Sequence, residues 1–452
     1  MKTKRFFALI CVLLALGLVP RARANTYADL PEVDVRAASA LLLDADTGEH
    51  LYEREPEALR EPASLTKIMT CMLALEMTGD WETHKNDIVT VTQAAFFDMV
   101  PDGSTSGLKA GEEIRLEDLL YCVMLQSANE GCNVLAIHLS GSVEAFVARM
   151  NERAAELGCE KTVFKNTHGL PAAGHVTTAL DISRITLQAV KTPQFMQIAH
   201  TDSYTVPPTN KTEARRLTTT NSLISTSRYS EYIYPPAKGI KTGHTTAAGY
   251  CLVSMAEKDN LRLISVVMGA VMEPDTQRQR HFVETKLLFE WGFENWVPRR
   301  LLTRTDIVGE LNVLLGAGKD AVTLVPENEI TALVPKSLDL AKIERKISLD
   351  NPEGRYAPIY KDEVLGTVTL QTEGHVYGVV RLLASFTVEE DTATKFMLDV
   401  RDWFSQPWIK WTLIGLGSLL VLYITLTVAL NYRRRRERTR RPGNYRGRKR
   451  RR

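Results

Sequence analysis

From Thr412 to Leu430 the chain carries no charged residue. A helix needs roughly 20 apolar residues to cross a bilayer, and Trp411 to Leu430 supplies such a run. Trp403, Trp408 and Trp411 form an aromatic belt ahead of it, and Arg433 to Arg436 follow it. The positive-inside bias places residues 431–452 in the cytoplasm and the preceding chain on the other side of the membrane. This Arg-rich tail reads first as a topological anchor; a site for anionic lipid or a cytoplasmic partner is the alternative. The opposite end agrees. Lys2, Lys4 and Arg5, the apolar run Phe6 to Val19 and the pattern Ala22-Arg23-Ala24 read as a signal peptide over residues 1–24, with Asn25 the first mature residue.

Whatever folds into a globular body therefore lies between the two apolar ends. The net charge of +2 hides an asymmetry: residues 433–452 carry +12 and residues 1–24 carry +5, which leaves the body, 25–432, at −15. An acidic body speaks against nucleic-acid binding outside the membrane. Beyond Cys11, five cysteines remain with no C-x-x-C pair. They sit mostly in apolar helix or strand patterns, so buried thiols are expected.

Two kinds of periodicity divide the body. A hairpin is expected from Ala38 to Leu43 and Glu49 to Glu53 around the turn Asp46-Thr47-Gly48. Helical patterns fill the middle, among them Leu116 to Leu125 and Val143 to Leu157, the latter ended by Gly158. A second hairpin, Gly249 to Ala256 and Leu261 to Ala270, precedes a helix from about Gln277 to Trp291. Strands at both ends with helices between predict an α+β domain built on a five-stranded antiparallel sheet, residues 25–296. From 300 to 390 the pattern changes to short alternating runs punctuated by Gly and Pro, which reads as a small β-sandwich. Residues 391–410 read as a juxtamembrane linker, and 411–430 as the membrane helix.

Three short motifs lie in the first domain. Ser64 and Lys67 are three apart, which stacks them one helical turn from each other. Pro62 marks the start of that helix, so Ser64 is expected near a helix N-terminus, where N–H groups favour developing negative charge. A serine hydroxyl attacks only when a base takes its proton, and Lys67 acts as one only with a lowered pKa. Alone, the pair equally describes an N-cap serine and a surface lysine. Ser127 and Asn129 lie between two apolar helices, which alone could be a polar junction; as part of a site, Ser127 would shuttle protons and Asn129 would bind a substrate amide or hold Lys67. Lys241-Thr242-Gly243-His244-Thr245 opens an alternating apolar run, as a strand does. Lys241 and Thr242 there suit a terminal carboxylate, Gly243 lets backbone approach closely, and the His244 N–H could join that of Ser64 around an oxyanion.

A serine with a lysine one turn on, a second serine with an asparagine, and a Lys-Thr-Gly strand, in this order, form the active-site set of penicillin-recognising serine enzymes. The chain resembles the low-molecular-mass penicillin-binding proteins of the D-alanyl-D-alanine carboxypeptidase family over roughly residues 34–296. Leu119-Leu120-Tyr121, Asn166-Thr167-His168-Gly169-Leu170, His175 to Asp181 and Thr220-Asn221-Ser222-Leu223 extend the resemblance beyond the motifs. It implies a penicillin-binding, serine β-lactamase-like transpeptidase domain. It makes Ser64 the acylated nucleophile, Lys67 its general base and Ser127 a proton carrier. Asn129, Lys241, Thr242, Gly243, His244 and Thr245 become the substrate-binding residues. The implied reaction removes the terminal D-alanine from peptidoglycan stem pentapeptides through an acyl-enzyme, with β-lactams as inhibitors, at a bacterial cell membrane. The β-domain resembles the family's accessory domain at Tyr356-Ala357-Pro358-Ile359, a spacer or a partner-docking module.

The family often has Ser-Gly-Asn-Asp where this chain has Ser127-Ala128-Asn129-Glu130. The segment Phe96 to Gly107 falls where relatives carry a mobile loop beside the site, and its sequence alone shows no preference. A β-lactamase would need a Glu-x-x-Leu-Asn loop between the second and third motifs, which is absent. A non-catalytic wall sensor, a cross-link endopeptidase and a transpeptidase are the other readings of the same site. The nine histidines show no metal-ligand spacing, and no Gly-rich phosphate loop occurs, so neither metal nor cofactor is expected. His168 and His175 are expected to serve as structural hydrogen-bonding groups.

Overall fold

Alternating apolar residues put two different faces of one strand to use. In β1 (Ser39–Asp44) all six residues are buried: Leu41 and Leu43 belong to one core cluster, Ala40 and Leu42 to another. Successive side chains of a strand point to opposite faces, so β1 is covered on both. A computed structural model describes residues 30–372 and 375–439, without the side chains of 437–439. The signal-peptide reading and residues 440–452 of the tail lie outside the described residues.

β1 pairs with β2 (His50–Arg54), and the remaining strands come from much later in the chain: β3 (Ala237–Thr245), β4 (Gly249–Lys258) and β5 (Leu261–Ala270). The sheet order is β2-β1-β5-β4-β3, antiparallel at every pairing. The expected five-stranded α+β sheet is thus present, and β3, which carries Lys241 to Thr245, is an edge strand. Helices α1 (Thr66–Thr78), α2 (Leu116–Leu125), α3 (Asn129–Ser140), α4 (Val143–Glu156) and α5 (Ala179–Ala189) supply the larger cluster on one face. On the other face α6 (Arg280–Asn295) packs Phe282, Leu288 and Phe289 against Leu42, Leu252 and Leu263. The core of α1 is unusually complete: every residue from Thr66 to Leu75 is buried, which makes it the central helix and Lys67 a core residue.

The chain separates into two compact units, the first comprising, among the described residues, 30–301, 331–343, 372 and 375. The second unit holds an all-β domain. Its six-stranded sheet is built from β7 (Gly309–Leu314), β8 (Ala321–Pro326), β10 (Glu344–Leu349), β11 (Arg355–Tyr356), β12 (Val364–Thr372) and β13 (His375–Ala384), in the order β10-β12-β13-β8-β7-β11. One of the alternating runs within 300–390 lies outside that sheet: β9 (Ile330–Pro335) pairs with β6 (Trp296–Leu302).

The segment read as a linker contains a helix, α7 (Thr392–Ser405), capped by Asp391, whose carboxylate accepts from the N–H groups of Ala393 and Thr394. It exposes Phe396, Met397, Val400, Trp403 and Phe404. After Gln406, α8 (Pro407–Thr439) starts with proline at its first position, where the missing N–H costs nothing. α8 is long and apolar enough to cross a membrane, and its apolar residues from Trp411 to Leu430 are exposed all round, while Ile409 near its start is buried. It is compatible with a membrane anchor.

Candidate active site

Ser64 lies outside the α-helix that its spacing predicts. Ala63 takes a left-handed φ of +47°, and Ala63–Leu65 form one 3₁₀ turn before α1 begins at Thr66. This turn presents Ser64 at the mouth of the helix, half-buried, with Lys67 one turn deeper and fully buried. Edge strand β3 passes beside it. A Cβ built on Gly243 would stand 3.1 Å from the Ser64 backbone nitrogen, so glycine there keeps the strand close to the Ser64 N–H.

Lys67 Nζ lies 2.9 Å from Ser64 Oγ, 2.8 Å from Asn129 Oδ1 and 2.6 Å from the His168 carbonyl oxygen. A neutral amine has two N–H donors and one lone pair. Donating to Asn129 and His168 uses both hydrogens and leaves the lone pair aimed at the Ser64 hydroxyl. Burial favours this neutral form, holding Lys67 below the usual lysine range. Lys241 is likewise buried and is pushed down to about 7, by burial first and then by the Lys67 charge. Its Nζ donates to the Thr242 carbonyl at 3.0 Å.

The second motif bridges α2 and α3. Ser127 takes a left-handed φ of +59°, which turns the chain sharply enough for α3 to start at Asn129. Ser127 Oγ is buried and finds no hydrogen-bond partner among the described residues. Asn129 is fixed at its own N–H by the Ser104 carbonyl, 2.9 Å away. Its Oδ1 accepts from Lys67 Nζ at 2.8 Å. Along β3, Thr242 Oγ1 meets Thr220 Oγ1 at 2.5 Å. The exposed His244 ring stacks on Tyr250 at 4.2 Å, and Thr245 Oγ1 accepts from the Ala248 N–H in the turn into β4. All nine predicted site residues thus come from one helix mouth, one helix junction and one strand edge.

The loop 164–176 supplies what motif reading missed. The His168 carbonyl that holds Lys67 belongs to a backbone group, and no residue letter marks it. Asn166 Oδ1 accepts from the N–H of His168 and of Gly169, at 3.3 and 2.7 Å. Thr70 Oγ1 donates to the Thr167 carbonyl at 2.6 Å. His175 accepts from the Lys165 N–H at Nδ1 and reaches Thr66 Oγ1 with Nε2. Burial pushes it down to about 4, so it stays neutral and structural, as expected. Glu130, unassigned by the sequence, receives Thr105 Oγ1 and the Ser106 N–H, and pins the loop beside the site to α3. The five described cysteines are free and buried.

A family model described as D-alanyl-D-alanine carboxypeptidase matches residues 24–272, and one described as penicillin-binding protein 5, C-terminal domain, matches 297–390. The chain is 33% identical over 347 residues to the D-alanyl-D-alanine carboxypeptidase DacF of Bacillus subtilis, covering 76% of this chain and 84% of that one. To the D-alanyl-D-alanine carboxypeptidase DacC of Escherichia coli it is 31% identical over 379 residues, covering 81% and 87%. Among solved structures it is similar to penicillin binding protein 5 from Haemophilus influenzae, with a TM-score of 0.62, 29% identity, and coverage of 80% of this chain and 99% of that one.

Proposed function

Because the chain belongs to the D-alanyl-D-alanine carboxypeptidase family and is a serine D,D-carboxypeptidase, we propose that Ser64 is its acylated nucleophile and Lys67 the base that activates it. Such an enzyme acts on peptidoglycan peptides ending in D-Ala-D-Ala, and penicillin-binding proteins bind β-lactams. The observation that carries the assignment is the Lys67 cradle: two oxygens take its hydrogens, and the third contact is the Ser64 hydroxyl.

The steps follow from this geometry. Ser64 Oγ attacks the carbonyl between the two D-alanines while Lys67 Nζ takes its proton. The oxyanion forms against the N–H groups of Ser64 and His244. Ser127 Oγ relays a proton to the departing D-alanine nitrogen, the C–N bond breaks, and the peptide remains as an ester on Ser64. Water then attacks the ester and restores the serine. Lys241, Thr242 and Thr245 hold the terminal carboxylate, Gly243 keeps β3 near Ser64, and Asn129 orients both Lys67 and the substrate amide.

Lys241→Ala tests the carboxylate assignment. On a peptide with a free C-terminal carboxylate, kcat/KM is expected to fall about 10- to 100-fold, the range for losing a hydrogen bond to a charged group. On a substrate esterified at that carboxylate it should change far less. Equal losses on both would remove Lys241 from carboxylate binding.

The β-domain serves as a spacer between the catalytic domain and the membrane. α8 anchors the chain as a single span, with the catalytic domain outside and the Arg-rich tail in the cytoplasm, an orientation supported by the charge bias around α8. Ending the chain after Asp391 is expected to give a soluble protein that still releases D-alanine. A product that stays with the membrane, or that is folded and inactive, would count against this arrangement.

A further inference from the structure

The loop beside the site holds one carboxylate that the mechanism above does not use. Asp98 follows the short turn Gln93–Phe96. Its Oδ2 lies 2.9 Å from His168 Nε2, and its Oδ1 accepts from Asn133 Nδ2 at 2.8 Å. His168 Nδ1 accepts from the Leu170 N–H at 3.2 Å. With Nδ1 occupied as an acceptor, the imidazole proton sits on Nε2 and points at Asp98. The peptide carbonyl of the same histidine is the one that holds Lys67.

We propose that Asp98 is a positioning residue for acylation: by anchoring the His168 ring it fixes the carbonyl that aims Lys67 at Ser64, and it ties that carbonyl to the wall of a cavity beside Asn129. This rests on the Ser64–Lys67 reading above. The wall is the loop that Asp98 itself belongs to. Phe96, Met99, Val100 and Pro101, with Asn129 and Glu130, line a cavity of about 190 Å³. A single side chain therefore joins the loop that walls this cavity to the group that orients the base.

The His168 ring cannot do without this acceptor. It is 1% exposed, so losing this acceptor leaves a buried N–H to be satisfied, and an orphaned buried N–H is costly. Burial holds the imidazole below its usual pKa against the pull of Asp98, which keeps it a neutral donor. Asp98 stays ionised: burial pushes it up, but the His168 and Asn133 hydrogen bonds outweigh that and hold it below the usual carboxylate range. Without Asp98 the ring loses the acceptor of its Nε2–H, and a ring that shifts strains the backbone that carries the carbonyl. The other ties of this loop act mainly on its backbone: Asn166 Oδ1 accepts from the Gly169 N–H, which shares a peptide unit with the His168 carbonyl, and Thr70 holds the Thr167 carbonyl. On the ring side the Leu170 N–H reaches Nδ1, and Asp98 takes the proton on Nε2.

The test uses the full-length chain in detergent. Acylation by a fluorescent penicillin and kcat and KM for D-alanine release are measured for the wild type, Asp98→Ala and Asp98→Asn, with Ser64→Ala as the control for labelling. Misplacing a reacting group by about 1 Å costs up to about 100-fold. Asp98→Ala is therefore expected to lower kcat and the acylation rate by about 10- to 100-fold, with KM within about twofold. Asp98→Asn keeps an acceptor for His168 Nε2–H while losing the one facing Asn133, so its kcat should recover to within a fewfold of the wild type. Near-normal kcat with a raised KM in Asp98→Ala would overturn the proposal, leaving Asp98 as part of the cleft wall only. Equal loss of kcat in both variants would also overturn it, because the His168 contact would then not be what matters. Failure of the wild type to label at Ser64 would instead count against the Ser64 assignment, so the two readings fail separately.

Discussion

Ser64→Ala is expected to abolish both covalent labelling by a β-lactam and release of D-alanine, while the protein still folds. Removing the nucleophile of an acyl-transfer enzyme costs at least about 10⁴-fold in kcat, and what remains comes from the oxyanion site and binding. The fold should tolerate the change. Ser64 is only half-buried, its Oγ receives a single contact, from Lys67, and the 3₁₀ turn is held by the Leu65 N–H to the Pro62 carbonyl at 3.1 Å. Lys67 keeps its two other acceptors, so no buried ammonium is left stranded. Measurement of D-alanine release and gel fluorescence on the same preparation checks both parts. Labelling that persists in Ser64→Ala would show that another group is acylated. Release that stops while labelling persists would separate hydrolysis from penicillin binding.

Gly169→Ala is expected to be the next most damaging change, for a reason remote from chemistry. Gly169 has a φ of +92°, and a Cβ there would lie 1.8 Å from the Ala63 carbonyl oxygen and 2.4 Å from its carbon. Real side chains do not approach backbone so closely, so one of the two segments must move. Both are critical: Ala63 begins the turn that presents Ser64, and Gly169 follows the carbonyl that holds Lys67. Backbone held in left-handed geometry adds its own penalty of about 1–3 kcal/mol. The variant is therefore expected to lose about 100-fold or more in kcat through misalignment, and several degrees in thermal midpoint. Kinetics and thermal melting together test this. Activity within a fewfold of the wild type would mean that the loop yields without disturbing Lys67.

These two substitutions mark what was and was not legible in the letters. Ser64, Lys67, Asn129 and Lys241 act through side chains, so residue types at fixed spacing announce them. The sheet was legible for a similar reason: Ser39–Asp44, Gly249–Lys258 and Leu261–Ala270 are continuous or alternating apolar runs, and a strand buried on both faces leaves that trace. The His168 carbonyl acts through the backbone, which every residue shares. Asp98 was invisible because its meaning depends on a histidine that only the folded chain brings beside it. The helix expected at Ser64 begins instead at Thr66, since the left-handed Ala63 inserts a tighter turn that no propensity foretells. In α7, Phe396, Val400 and Trp403 recur at helical spacing, so an amphipathic helix stands where the letters suggested a linker.

Ser127 carries a further implication. Its hydroxyl is buried with no partner among the described residues, and its backbone sits in a conformation that L-residues resist. A shape-conserving change that removed the hydroxyl, or a glycine that eased the turn, would relieve the fold at that position. Chemistry and durability thus pull in opposite directions at one residue. Selection for a tougher protein alone would favour replacing this serine.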